Sequence, residues 1–330
     1  MPLTGNVRAL WRLARPFTCL PPAVGVATGA LSGIGAEMRR HGKTFHGVVE
    51  ELDLRGLADV PPRHWSHVVI FGALAAIALN VYSNALNQLC DEEIDRLAKP
   101  ERPLVTQALS RGAAWAIAFS ALLASLAWGL FVRPPGSRVP EFLFCALLAA
   151  ILTTAYSLPP VRLKRFGLAA NFAIASARGL LLKVAGWACL FAALSPFDPE
   201  PWALGAVFFL FTFGAVTTKD FSDAQADAAC GVRSLPVAWG FEKAAWLAAC
   251  CLSLPWLLLP ALAFFGALTM PLAAAGALGG ALALYGAWIG WLLVRDPARL
   301  GAERNHPAWA HMYVLMMAAQ LGTAGVYLYG

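Results

Sequence analysis

Asn87–Pro103 reads NQLCDEEIDRLAKPERP, and the fold and chemistry of the chain turn on it. Five carboxylates (Asp91, Glu92, Glu93, Asp95, Glu101) share seventeen residues with Asn87, Arg96, Lys99 and Arg102, in a chain with only 13% charged residues. The apolar run VVIFGALAAIALNVY (68–82) comes just before. If that helix continues into the motif, Asn87, Asp91 and Asp95 recur at i, i+4 and i+8. Each step of four turns about 40° around the axis, so all three project from one face. Stacked carboxylates repel unless a cation neutralises them. Oxygen-rich clusters suit hard divalent ions, and Mg2+ is commonly held by carboxylates together with a substrate's phosphates. Taken alone, the stretch is equally readable as a solvated acidic loop between helices.

A second stretch, KDFSDAQADAACGVRSLP (219–236), repeats the pattern. Asp223 and Asp227 have the spacing of Asp91 and Asp95. Aligning the pairs sets Arg233 near the position of Arg102, and Leu235-Pro236 near Pro103-Leu104. Each copy follows a hydrophobic segment, as in a weak internal repeat. Two acidic clusters able to converge on one metal–diphosphate assembly are harder to dismiss than one.

The remaining composition sets the class. Of 330 residues 59% are hydrophobic, mean hydropathy is +0.62, and the apolar residues come in long charge-poor blocks. The expected fold is all-α: a polytopic membrane protein folding as a single unit over 1–330. No signal-peptide cleavage pattern is apparent near the basic N-terminus. The seven cysteines are scattered with no CxxC pair, so neither a disulfide framework nor a zinc site is expected. The net charge of +6 carries no long basic run. It fits membrane topology, and no nucleic-acid partner is expected.

A basic lead-in (1–16, with Arg8, Arg12 and Arg15) precedes nine expected membrane helices. They fall near 17–37, 66–88, 112–132, 141–157, 168–194, 201–218, 244–265, 270–294 and 308–329. With this layout one face carries 16 Lys and Arg against 7 on the other, and two, Arg178 and Lys183, lie inside helix five. The richer face, which holds both acidic motifs, is expected to be cytoplasmic, in a cell (inner) membrane. The extracytoplasmic loop 38–65 has room for a short interfacial helix. His64 and His67 beside Trp65 read as interfacial anchoring.

After helix four, YSLPPVRLKRFG (156–167) crowds Arg162, Lys164 and Arg165 at the motif face. Ordinary positive-inside charge accounts for three basic residues; a grip on a diphosphate accounts for them as well. An ionisable group within a membrane helix is costly, so Arg178 invites a functional role, with snorkelling as the alternative.

Together these motifs resemble the UbiA superfamily of intramembrane prenyltransferases. The resemblance rests on NQLCDEEID, KPERP, YSLPPVRLKR, KDFSDAQAD and GVRSLPVAWG in that order, from ARPFT (14–18) onward. It implies a nine-helix bundle around a central cavity that is capped by the motif loops and open laterally to membrane lipids. It implies Mg2+-dependent transfer of a prenyl group from a polyprenyl diphosphate to a lipophilic or aromatic acceptor: a quinone precursor, a hydroxyl-bearing lipid or a chlorin. By the same resemblance Asn87, Asp91 and Asp95 form the first metal–diphosphate motif. Asp223 and Asp227 form the second, flanked by Asp220. Arg102, Lys164, Arg165 and Lys219, with Arg178, serve the diphosphate, and Tyr156 stands at the cavity rim. PLVTQALS and AQAD depart from common family patterns and leave the branch open, with a slight lean towards acceptors such as homogentisate-like rings, chlorophyllide or glycerol phosphates. The rival from another class is an ion-coupled transporter. It requires carboxylates near mid-membrane in broken helices, whereas these cluster at helix ends on one face.

Overall fold

The computed structural model describes residues 3–54, 64–134, 139–195, 198–302 and 306–330. Among them, eight helices are long and apolar enough to cross a membrane. They are α1 (Pro16–His41), α2 (Trp65–Cys90), α3 (Arg111–Phe131), α5 (Gly167–Trp187), α6 (Glu200–Ala229), α7 (Phe241–Phe264), α8 (Leu272–Val294) and α9 (Pro307–Tyr329). Between α3 and α5 lies α4 (Glu141–Ser157), an apolar helix of 17 residues. Helices suit this environment because each satisfies its backbone polar groups internally. Their starts are set by local chemistry. The Ser110 hydroxyl accepts from the Ala113 N–H at 3.2 Å, and His306 Nδ1 accepts from the Ala308 N–H at 3.2 Å ahead of Pro307.

Small residues let the helices approach closely, as expected where lipid removes most of the hydrophobic drive between them. A Cβ built on Gly29 of α1 would lie 2.9 Å from the Gly186 Cα of α5, so this crossing requires glycine. Large apolar side chains such as Phe119, Leu123, Leu130 and Phe131 on α3 point outward.

Three expectations change. The fifth helix ends at Trp187 rather than 194. The sixth does not stop at 218: after a break at Val216 it continues as Thr217–Ala229, so the second acidic motif is helical. Asn171 of α5 supports the break, its amide donating to the Phe213 carbonyl at 2.6 Å and to Thr217 Oγ1 at 2.9 Å. Alanine-rich sequence then favours the continued helix. Conversely, α2 ends at Cys90, and Asp91 leaves helical geometry (φ −108°, ψ 16°) before a short helix, Glu92–Ala98. The spacing survives the kink, because the Asp91 N–H still bonds the Asn87 carbonyl and the Asp95 N–H the Asp91 carbonyl. In the 38–65 connection a helix forms at Phe45–Leu54, while 55–63 lie outside the described residues.

Candidate active site

The ends of α2 and α6 bring the two acidic motifs to one cavity of about 310 Å³. Asp91, Asp95, Asp220, Asp223 and Asp227 line it, and so do Arg15, Lys99, Arg102, Lys164, Arg178 and Lys219. Asp91, Asp95 and Asp227 are buried, at 5%, 3% and 8% exposure. Ionised carboxylates at such depth need partners, and the partners arrive from other elements. Lys164, in the loop after α4, sits 2.5 Å from Asp91 Oδ2, to which the Asn87 amide donates at 2.7 Å. Arg162 approaches Asp91 Oδ1 at 3.4 Å. Arg102 pairs with Asp95. Lys99 reaches across from the first motif to Asp223 of the second at 2.5 Å, and Lys219 lies 3.9 Å from the other oxygen of Asp223. Burial pushes the Asp95 carboxyl above its usual range against the pull of Arg102 and Lys99. Burial, with Arg102 close by, holds the Arg15 guanidinium below its own.

A backbone clip fixes the loops relative to one another. Phe166 forms an isolated parallel bridge with Arg233, the Gly167 N–H donates to the Arg233 carbonyl at 2.9 Å, and the Arg233 N–H donates to the Arg165 carbonyl at 3.2 Å. On the other side, three amides of α2 hold the chain leading into α1. Asn80 donates to Thr18 Oγ1, Asn84 to the Ala14 carbonyl and Thr18 Oγ1, and Gln88 to the Leu13 carbonyl, at 2.9–3.0 Å. Within that lead-in Arg15 adopts left-handed backbone geometry (φ 53°), at the joint between the helix Leu3–Ala14 and α1.

Below the charged end the walls become apolar, with Leu152, Ile174, Phe211, Met312 and Met316. A charged mouth over an apolar chamber suits a ligand with an anionic head and a hydrocarbon tail.

The sequence matches the model of the UbiA prenyltransferase family over residues 56–324. The chain belongs to this family. It is 28% identical over 237 residues to the chloroplastic chlorophyll synthase of Oryza sativa subsp. japonica, covering 72% of this chain and 56% of that protein. It is 30% identical over 247 residues to the homogentisate phytyltransferase of Synechocystis sp., covering 72% and 70%. The chain thus spans little more than half the length of the chlorophyll synthases it matches. Among solved structures, a UbiA homolog from Archaeoglobus fulgidus bound to DMAPP and Mg2+ superposes with a TM-score of 0.64 at 20% identity, over 96% of this chain and 99% of that one. A structure of digeranylgeranylglyceryl phosphate synthase superposes at 0.65 with 19% identity, over 98% and 99%.

Of the residues expected from sequence to serve the UbiA-type site, Asn87, Asp91, Asp95, Arg102, Tyr156, Lys164, Arg178, Lys219, Asp220, Asp223 and Asp227 all line the cavity. Arg165 does not; its side chain is exposed and its carbonyl serves the backbone clip. Arg15 and Lys99 line the cavity without having been assigned to it. Arg15 is brought there by the α2 amides that hold its segment, a long-range contact with no local signal. Lys99 sits four residues after Asp95, where a continued helix would set it on the same face.

No three His, Cys, Asp or Glu side chains among the described residues are gathered to hold a metal by themselves. The donor set still fits Mg2+, which takes only one or two carboxylates when a substrate's phosphates complete its shell.

Proposed function

We propose that this chain transfers a prenyl group from a polyprenyl diphosphate to a lipophilic or aromatic acceptor inside the membrane, with Mg2+. Support comes above all from one observation: two acidic clusters more than a hundred residues apart meet six basic side chains around one cavity with an apolar floor. On this reading Asp91 and Asp95 hold metal from one side, and Asp223 and Asp227 from the other, with Asn87 and Asp220 flanking. Bound Mg2+ would offset the charge that develops on the leaving diphosphate. Lys99, Arg102, Lys164 and Lys219, now paired with carboxylates, are within reach to exchange those partners for phosphate oxygens; Arg15 joins them.

The allylic C–O bond breaks heterolytically, and its electron pair leaves with the diphosphate. The remaining allylic cation is captured by a ring carbon or hydroxyl of the acceptor, which then loses a proton. Tyr156 also lines the cavity, where its ring can face the cation. The apolar chamber keeps water from capturing it first.

The excess of Lys and Arg on the motif face supports a cytoplasmic placement of that end. The deciding experiment incubates the purified full chain with geranylgeranyl, phytyl and solanesyl diphosphates and a panel of acceptors, with and without Mg2+, and reads product mass. A Mg2+-dependent prenylated product with diphosphate release is expected. Solute flux across vesicles without diphosphate release would instead identify a transporter.

A further inference from the structure

The lead-in helix Leu3–Ala14 stands apart from the cavity, and its described side chains divide into three arcs. At about 100° per residue, Leu10, Val7 and Trp11 share one side, Arg8 and Arg12 the next, and Ala9 and Leu13 the third. The third side is buried, with Ala9 at 3% exposure and Leu13 at 0%. The other two face outward. Val7, Leu10 and Trp11 are 62%, 42% and 66% exposed, and Arg8 and Arg12 are exposed beside them. No acidic residue occurs in the helix. It therefore presents an apolar strip edged by positive charge.

The height of this helix in the bundle follows from what its buried side touches. Leu13 packs in one apolar cluster with Leu86 and Leu89 of α2, Ala114 and Ala118 of α3, and Leu104 of the loop between them. Because α2 ends at Cys90 and α3 begins at Arg111, these helical residues lie within roughly 10 Å of the helix ends. Gln88 and Asn84 pin the Leu13 and Ala14 carbonyls at 3.0 and 2.9 Å. The chain then enters the span α1 at Pro16, whose first residues expose Phe17 and Leu20. A helix held at the ends of three spans lies at the depth of lipid headgroups. There an apolar arc with a tryptophan sinks toward the acyl chains, and arginines beside it meet the headgroups. In water the same arc would leave three large apolar side chains exposed together. The apolar strip is served by any lipid. The arginines, with no acid on their own helix to pair with, call for headgroups of net negative charge.

We propose that Leu3–Ala14 is an interfacial anchor that docks on anionic membrane lipid, with Val7, Leu10 and Trp11 at the acyl boundary and Arg8 and Arg12 on lipid phosphates. Arg15 is not part of that contact; it follows the helix in left-handed geometry and lines the cavity instead. Docked lipid thus steadies the segment that delivers Arg15, and the charge of the leaflet bears on the cavity wall. The docking is independent of the prenyl-transfer reading.

The test is hydrogen–deuterium exchange of the purified full chain in nanodiscs of phosphatidylcholine, and in nanodiscs with about a third of that lipid replaced by phosphatidylglycerol. An arginine near an anionic surface contributes about fivefold in affinity. Amides of residues 7–14 should therefore exchange about tenfold or more slowly in the anionic discs, with the core of α7 unchanged as the fold control. Arg8→Gln with Arg12→Gln should remove the difference, and Arg8→Lys with Arg12→Lys should keep it. Leu10→Ser with Trp11→Ser should speed exchange in both discs. Free glycerol phosphate added to neutral discs separates a soluble anion from a lipid. Equal exchange in the two discs, a difference that survives the paired glutamine substitutions, or protection by the free phosphate alone would each overturn the proposal. So would protection found only in discs that hold two chains, which would make a second copy the occupant.

Discussion

The two ends of α6 both bury charge, and they do so in opposite ways. At its start, Glu200 is 2% exposed and fully engaged. Its carboxylate accepts from the Tyr327 hydroxyl at 2.6 Å, the Thr269 N–H at 2.6 Å, the Thr269 hydroxyl at 2.9 Å and Arg40 at 2.6 Å. Arg40 also takes Asp198, at 2.7–2.8 Å. None of these residues lines the chamber. At its far end Asp220, Asp223 and Asp227 face the cavity, and the partners of Asp223 are long lysines from two elements. Burial alone therefore does not identify a reactive carboxylate. A closed set of short bonds from backbone, hydroxyl and guanidinium donors ties α1, α6, α9 and the connection before α8 together. A set of lysines and arginines around an open cavity can trade partners when a more highly charged ligand enters.

The widest separation between the two ends should appear in activity. Asp91→Asn or Asp227→Asn should lower Mg2+-dependent prenyl transfer by about two to three orders of magnitude, as for loss of a central electrostatic group. The double variant should lose little more, since groups acting as a unit are non-additive. Near-normal transfer by the double variant in a folded preparation would dissolve the shared site. Glu200→Ala should act on the fold instead. Removing one member of a buried, hydrogen-bonded charge set costs about 3–5 kcal/mol, so thermal unfolding in detergent should begin at markedly lower temperature. Rate per folded molecule should hold below the transition; a selective activity loss with unchanged melting would erase the contrast. The finest comparison lies within one loop. Lys164→Ala should raise donor KM about tenfold or more, as for a charged hydrogen bond of about 1.5–3 kcal/mol. Arg165→Ala, one residue on but exposed, should stay within about twofold. Equal effects would return both residues to a general role in membrane topology.

Much of this architecture is readable in the chain. The apolar blocks and the repeated D-x-x-x-D spacing point to a helical membrane bundle with two acidic motifs on one face, because periodicity and charge are local properties. What lay beyond reading depends on long-range partners. Glu200 stands between Pro199 and Pro201, and nothing near it hints at Tyr327. Arg15 looks like one more positive charge near the start of the chain until α2 pins that segment at the cavity wall. Asn80, Asn84 and Gln88 do carry a signal, three amides at spacing four in a mainly apolar helix, but nothing in their spacing names the lead-in to α1 as their partner. The extension of α6 through Ala229 was hidden because hydropathy falls at Lys219 while the backbone, supported by Asn171, continues.

The clip between Phe166 and Arg233 bears on how the charged end can move. It stitches the segment after α4 to the segment after α6 by two backbone hydrogen bonds, each worth about 1 kcal/mol. Lys164 stands on one side of that seam and Asp227 on the other. Separating one segment from the other gives up both bonds, so the clip fixes the loop that carries Lys164 against the loop that follows Asp227.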